Sequence, residues 1–218
     1  MTHPQMTDLR SLLQRFGTLY SEELGIDLAN PFEWLVASIL FGKRISTTIA
    51  KKTFRVYRDE GLLSPQSISK ASWEDLVRVH GKGGYVRYDG ITATYMKDMA
   101  EKVLADYGGD ISRLDRVSDG PRDLERRLLE LKGVGPVTAR IFLRELRGIW
   151  KNADPKPGSI EIAAARALGF IEDDGQSLKD FWERNAVPGY DFRRFEAALV
   201  RVGLLLRRGR RLEDILSK

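Results

Sequence analysis

The sequence predicts an all-α protein. Three observations carry that prediction. Apolar residues recur at helical spacing, alternation of the strand type is hard to find, and helix start and stop residues punctuate the chain at short intervals. The chain has 218 residues, 42% of them hydrophobic, which is enough to build a core and excludes a disordered chain. That length suits one domain or two small lobes.

The elements follow in order. Leu9, Leu12, Leu13, Phe16 and Leu19 share one helical face and predict a helix over Thr7–Leu24. Asn30 as N-cap and Pro31 in the first turn open a second helix, Phe32–Phe41, apolar on most faces and so expected near the centre of the core. Gly42 ends it. Ser46 or Thr47 caps Thr47–Glu60, and Gly61 stops that helix. Ser64-Pro65 and Ser72 start two short helices, Pro65–Lys70 and Trp73–Val79, before a tight basic turn, Gly81-Lys82-Gly83-Gly84. A long helix, Ile91–Tyr107, closes at Gly108-Gly109. Asp119-Gly120-Pro121 leads into Arg122–Leu131, Gly133 and Gly135 break the helix, and Pro136 begins another to Arg147. Asn152–Gly158, with two prolines, is a loop. Ser159 caps Ile160–Leu168, Asp173–Ser177 is a polar turn, and Leu178–Asn185 and Asp191–Leu206 are helical. A basic segment, Arg207–Arg211, precedes a short tail helix.

Composition removes several classes of function. With no cysteine there is no disulfide framework, no thiolate zinc site and no cysteine-ligated iron–sulfur cluster, and two scattered histidines make a histidine zinc site unlikely. The longest apolar stretch, Trp34–Phe41, is too short to span a bilayer, and Met1–Arg10 lacks an apolar signal core. The expectation is a cytoplasmic, nucleoid-associated protein without a membrane partner. The net charge of +5 permits a nucleic-acid partner without demanding one.

One stretch carries high information: Leu128-Leu129-Glu130-Leu131-Lys132-Gly133-Val134-Gly135-Pro136-Val137-Thr138-Ala139. It sets a helix, a Gly-Val-Gly turn and a second helix in close succession. The glycines admit backbone conformations and approaches that side chains block. The second helix begins with unbonded N–H groups, a ready site for a phosphate oxygen. Lys132 adds a charge there and Thr138 a hydroxyl.

The string resembles the helix-hairpin-helix motif of DNA repair proteins. Upstream by about 100 residues, Pro31-Phe32-Glu33-Trp34-Leu35-Val36-Ala37-Ser38-Ile39-Leu40 is similar to a helix of endonuclease III-like enzymes, and Ser46–Tyr57 with Lys51-Lys52 resembles their next helix. The chain thus resembles the HhH-GPD superfamily of DNA glycosylases, most specifically over residues 31–60 and 122–147. The resemblance implies a two-lobed helical fold with a DNA-facing cleft between lobes. Residues 31–147 would form a central bundle with the hairpin at 122–147, and residues 1–30 plus 148–218 the second lobe. It implies base-excision repair: a monomer that flips a damaged or mismatched base from double-stranded DNA and hydrolyses its N-glycosidic bond.

The resemblance also assigns site residues. Lys132, Gly133, Val134, Gly135 and Thr138 would hold the DNA backbone. The backbone carbonyls of Leu129, Leu131 and Val134 would hold a structural Na+ or K+ ion; no other cofactor is required. Lyase-type members carry a nucleophilic Lys just before the Thr-Ala of the hairpin helix, where this chain has Val137, so a monofunctional enzyme with weak or absent lyase activity is expected. The catalytic carboxylate stays open between two positions. Asp154, fifteen residues beyond Ala139, fits the count from the hairpin. Counting back from the end of the following helix reaches Gly158-Ser159, neither acidic, and Glu161 in that helix's first turn is the second candidate. Lys43 and Arg44 stand where relatives insert a side chain into the DNA stack. Tyr85, Arg87 and Tyr88 combine aromatic and cationic groups suited to a base pocket. The absent Lys and displaced acid leave an alternative, a non-catalytic DNA-binding or damage-sensing protein on the same fold.

Overall fold

A computed structural model describes residues 8–172 and 177–217. Most of the expected 173–177 turn and the first residue of the expected N-terminal helix lie outside the described residues. Within them the chain is helical, with no named strand: α1 (Leu9–Phe16), α2 (Tyr20–Glu23), α3 (Phe32–Phe41), α4 (Thr47–Asp59), α5 (Pro65–Lys70), α6 (Trp73–Gly83), α7 (Asp89–Tyr107), α8 (Arg113–Arg116), α9 (Pro121–Leu129), α10 (Pro136–Glu145), α11 (Ser159–Ala167), α12 (Leu178–Asn185), α13 (Phe192–Arg207) and α14 (Leu212–Leu216). No described helix is long and apolar enough to cross a membrane.

The helices group into two units, one spanning Leu24–Pro155 and the other joining the chain up to Glu23 with Lys156 onward. In the larger unit α3 is the axis. Phe32 and every residue from Trp34 to Leu40 are buried, as its nearly all-apolar sequence requires, and the Trp34 indole N–H donates to the Phe142 carbonyl of α10 at 3.1 Å. Helices α4 and α10 pack on α3, α6 packs on α4 and α7, and α5 packs on α7. In the smaller unit α13 is the axis, with α1, α11, α12 and α14 against it. Its core is aromatic: Phe195 lies 5.4 Å from Trp182 and 5.9 Å from Phe170.

Several boundaries depart from expectation for physical reasons. The expected Thr7–Leu24 helix is two. Asp8 caps α1 by accepting the N–H groups of Arg10 and Ser11, and Gly17 ends it, because a Cβ there would stand 2.5 Å from the Leu13 carbonyl oxygen. Asn30 does not cap α3; Pro31 occupies the cap position without a side-chain bond. The expected turn at 81–84 is still helix through Gly83, and only Gly84 turns left-handed, at φ +85°. Gly83 is needed there because α6 presses on α4: a Cβ would lie 2.1 Å from Thr53 Oγ1 and 2.6 Å from Thr53 Cα. Helices α9 and α10 stop at Leu129 and Glu145, short of the expected Leu131 and Arg147. Helix α8 carried no start signal strong enough to predict it. Ser159 does not cap α11. Gly158 does, and the Ser159 hydroxyl instead accepts from Arg207 Nη2 at 3.3 Å.

A buried polar cluster fastens the C-terminal end of α6 to α7. His80 lies 2.9 Å from the Asp89 carbonyl through Nδ1 and 2.7 Å from the Tyr57 hydroxyl through Nε2. A carbonyl only accepts, so Nδ1 carries the proton and Nε2 accepts from Tyr57. Burial lowers the His80 pKa to about 4, outweighing the opposing pull of Asp89, and pushes the Tyr57 hydroxyl well above its usual range.

Candidate nucleic-acid interface and carboxylate site

The hairpin is built by three local features. The N–H groups of Leu131 and Val134 bond to the carbonyls of Leu128 and Leu131, at 3.0 and 3.1 Å, tightening the chain after α9. Gly133 then turns it into the left-handed region at φ +83°. Gly135 is extended and takes the cap position of α10 without a side-chain bond, and Pro136 follows as the first helical residue. The N–H groups of Val137 and Thr138 come in the helix's first turn, before any carbonyl of α10 can reach them. Lys132 is exposed beside this end.

The two hairpin glycines differ in what constrains them. A Cβ at Gly133 would come within 3.1 Å of Tyr95 Cβ on α7, in a conformation that L side chains avoid. A Cβ at Gly135 meets nothing within 4 Å. Packing within the chain therefore explains Gly133 and leaves Gly135 unexplained.

Tyr95 was not visible as a site residue in the sequence. It borders the hairpin at Gly133, and the Lys43 ammonium stands over its ring at 5.2 Å from the centroid. It thereby places Lys43 beside the hairpin, although ninety residues separate the two in sequence. Arg44 is exposed next to Lys43. No local pattern announces this role for Tyr95, since it depends on how α7 crosses α3.

Thr138 requires a correction. It is 3% exposed, and its Oγ1 occupies the space where a Cβ at Gly42 would stand. The hydroxyl is a packing group between α10 and the end of α3, not one offered to a phosphate. Val137 beside it is 52% exposed. Tyr85 also departs from a pocket-lining role: it is fully buried, 5.4 Å from the His80 ring. Arg87 is exposed, with its guanidinium over the half-buried Tyr88 ring at 5.3 Å. Val134 is buried, while Leu129 is exposed. The arginines closing α9 are engaged. Arg126 holds Asp123 and Glu130 at 2.5 and 2.6 Å, and Arg127 holds Asp123 at 2.8 Å, keeping the Asp123 carboxyl far below the usual range.

The two candidate carboxylates stand in different surroundings. Asp154 belongs to the same unit as the hairpin and is half-exposed, its side chain 53% accessible and paired with the guanidinium of Arg147. Glu161, in the first turn of α11 in the other unit, is 3% exposed. The loop carrying Asp154 is fixed from α8. The Asp115 carboxylate accepts the backbone N–H groups of Lys151 and Asn152 at 3.0 and 2.9 Å, and the Asn152 amide donates to the carbonyls of Asp115 and Ser118 at 3.1 and 3.2 Å.

The chain therefore builds an all-α fold of two helical units with a helix-hairpin-helix. The sequence matches no protein-family model and no curated protein. Two solved structures share the fold over most of their length. One is endonuclease III in a trapped covalent intermediate with DNA: TM-score 0.53, 17% identity, 92% of this chain and 85% of that one covered. The other is the 3-methyladenine DNA glycosylase MagIII of H. pylori bound to 1,N6-ethenoadenine: TM-score 0.56, 15% identity, 94% of this chain and all of that one covered. The fold is that of the HhH-GPD DNA glycosylases.

Proposed function

We propose that the protein is a monofunctional DNA glycosylase of base-excision repair, acting as a monomer on double-stranded DNA. The observation that carries this reading is the uncapped first turn of α10, presented by Gly133 and Gly135, with Lys132 exposed beside it and Val137 where a lyase would need an amine. The N–H groups of that turn and the Lys132 charge suit a phosphate, which grips the backbone without reading sequence. Lys43, Arg44, Arg87 and Tyr88 are the groups offered to the displaced stack and the extruded base.

In this reading the bond between sugar C1′ and the base nitrogen breaks with its electron pair leaving on the base. Positive charge spreads over C1′ and O4′, and the carboxylate of Asp154 stabilises it. Water adds to C1′; one of its protons ends on the departing base, and the product is an abasic sugar. Asp154 is favoured over Glu161 by its exposure and by its place in the hairpin's own unit. The carbonyls of Leu129, Leu131 and Val134 offer the donor type an alkali ion takes; Leu131's also accepts the Val134 N–H and keeps its second lone pair. Action on nucleoid DNA accords with the basic charge.

A second reading has a specific observation behind it. Gly158, not an acid, caps α11, where the resemblance locates the carboxylate when counted from the helix end. A non-catalytic, damage-sensing binder would look like this. Single-turnover base release from duplexes carrying 3-methyladenine, 1,N6-ethenoadenine, uracil or a G·T mismatch, developed with and without alkali, separates the two. Strand cuts only after alkali support the monofunctional enzyme. Cuts without alkali overturn monofunctionality, and salt-sensitive binding with no release from any duplex supports the sensor.

A further inference from the structure

We infer that Arg147 is the positioning residue for Asp154, holding its carboxylate in the one orientation from which it acts. The inference rests on the reading of Asp154 as the carboxylate that faces the sugar. Arg147 follows α10 directly. Its guanidinium makes two bonds to the far end of the loop, Nη1 to Asp154 Oδ1 and Nη2 to the Pro155 carbonyl.

The cation in this pair is not a mobile surface group. The Arg147 side chain is 11% exposed, whereas Asp154's is 53%. An exposed ion pair gains little because two long side chains must be ordered to make it. Here the ordering is done by the fold. The carbonyl of Leu146 accepts the N–H groups of Ile149 and Trp150, both at 2.9 Å, and Trp150 packs edge-on to Phe142 at 5.3 Å between centroids. Asp115 and Asn152 pin the next two residues to α8, and the Asp154 N–H bonds the Asn152 carbonyl at 3.0 Å. The backbone around Asp154 is thus fixed at both ends, and the one freedom left to the carboxylate, its side-chain rotation, is the one that the fork of Arg147 removes. A lysine would carry the charge but not the paired donors.

The chemistry follows from that arrangement. A carboxylate that accepts from a guanidinium is a weaker proton acceptor, yet its field still acts on a nearby cation. Arg147 therefore biases Asp154 toward electrostatic stabilisation of the sugar cation rather than proton abstraction from water. Misorienting such a group costs rate and leaves binding alone.

The test uses the full-length protein and whichever of the four lesion duplexes the wild type cleaves. Arg147→Ala is expected to lower the single-turnover rate about 10- to 100-fold while changing affinity for a duplex with a tetrahydrofuran abasic analogue less than about threefold. Arg147→Lys is expected to recover part of the rate. Guanidinium at low millimolar concentration is expected to restore part of the Arg147→Ala rate, where sodium chloride at equal ionic strength does not. A merely structural arginine would show no such rescue, so an unrescued loss overturns the inference, as does an unchanged rate. Asp154→Asn separates the two layers. If it leaves base release intact, the catalytic reading of Asp154 falls first and takes the inference with it. If it abolishes release while Arg147→Ala does not slow it, only the inference falls. If Arg147→Ala fails to fold, Arg147→Lys carries the test: a wild-type rate in it overturns the need for the paired donors.

Discussion

The Thr138 hydroxyl fills the hollow left by the missing side chain of Gly42; a Cβ at Gly42 would lie 2.1 Å from Thr138 Oγ1. This interlock seats the first turn of α10 against the end of α3, and so sets the hairpin beside the loop that carries Lys43. Gly42→Ala is expected to destabilise the protein by about 1–3 kcal/mol, the usual range for overpacking a filled site. Thr138→Ala in the same chain removes the closest contact, so the double variant should be more stable than the sum of the singles requires. Urea denaturation of the four proteins measures the coupling, and additive losses would disprove the interlock.

The hairpin glycines should separate stability from binding. Gly133→Ala forces a left-handed alanine against Tyr95 and is expected to cost about 1–2 kcal/mol or more. Gly135→Ala meets no atom of the protein and is expected to cost less than about 1 kcal/mol. If a DNA backbone approaches Gly135, that variant should bind duplex DNA distinctly more weakly than the wild type. Fluorescence anisotropy beside a denaturation curve gives both numbers, and unimpaired binding would remove the reason offered for Gly135.

Lys132 and Thr138 should part company in salt. Lys132→Ala is expected to reduce the slope of log affinity against log salt by about 1, the loss of one phosphate contact. Thr138→Ala, whose hydroxyl faces inward, should leave that slope unchanged. A slope altered by Thr138→Ala and not by Lys132→Ala would invert the assignment.

His80 should make stability depend on acid. Its folded pKa is lowered to about 4, while the unfolded ring titrates near 6.5. Between those values the unfolded chain binds more protons, so stability is complete above about pH 6.5 and falls as pH drops toward 4, by up to about 3 kcal/mol. Urea midpoints across pH 4–7 for the wild type and for His80→Asn test this. The variant is expected to be less stable throughout and to lose the His80 part of the slope; identical slopes would show that His80 is not held neutral.

Val137 marks the expected absence of a lyase nucleophile. Being 52% exposed, it should accept lysine within about 0.5 kcal/mol of stability. On the proposed reading, Val137→Lys gains borohydride-dependent trapping on an abasic duplex that the wild type lacks. Equal trapping by both proteins would show that another amine already serves.

How much of this could be seen in the sequence depended on range. The helical fold, the burial of Phe32–Phe41 and the hairpin string rest on local rules: periodicity, caps, and the backbone freedom of glycine and proline, all of which act over a few residues. The sequence by itself therefore determined that the chain is all-α and where the hairpin lies. Errors fell where a distant segment outweighed a local preference. Gly81–Gly84 reads as a turn, yet Gly83 stays helical because it lets α6 press against Thr53. Thr138 reads as a hydroxyl beside free N–H groups, yet the hollow at Gly42 turns it inward, and Tyr85 reads as an exposed aromatic, yet it packs with His80. Tyr95 and Arg147 gave no signal, because each matters only through a partner brought to it by the packing of helices or by a loop pinned to α8. Side-chain direction and pairing were decided by the tertiary structure alone, since contacts between residues far apart in sequence form only when the helices pack.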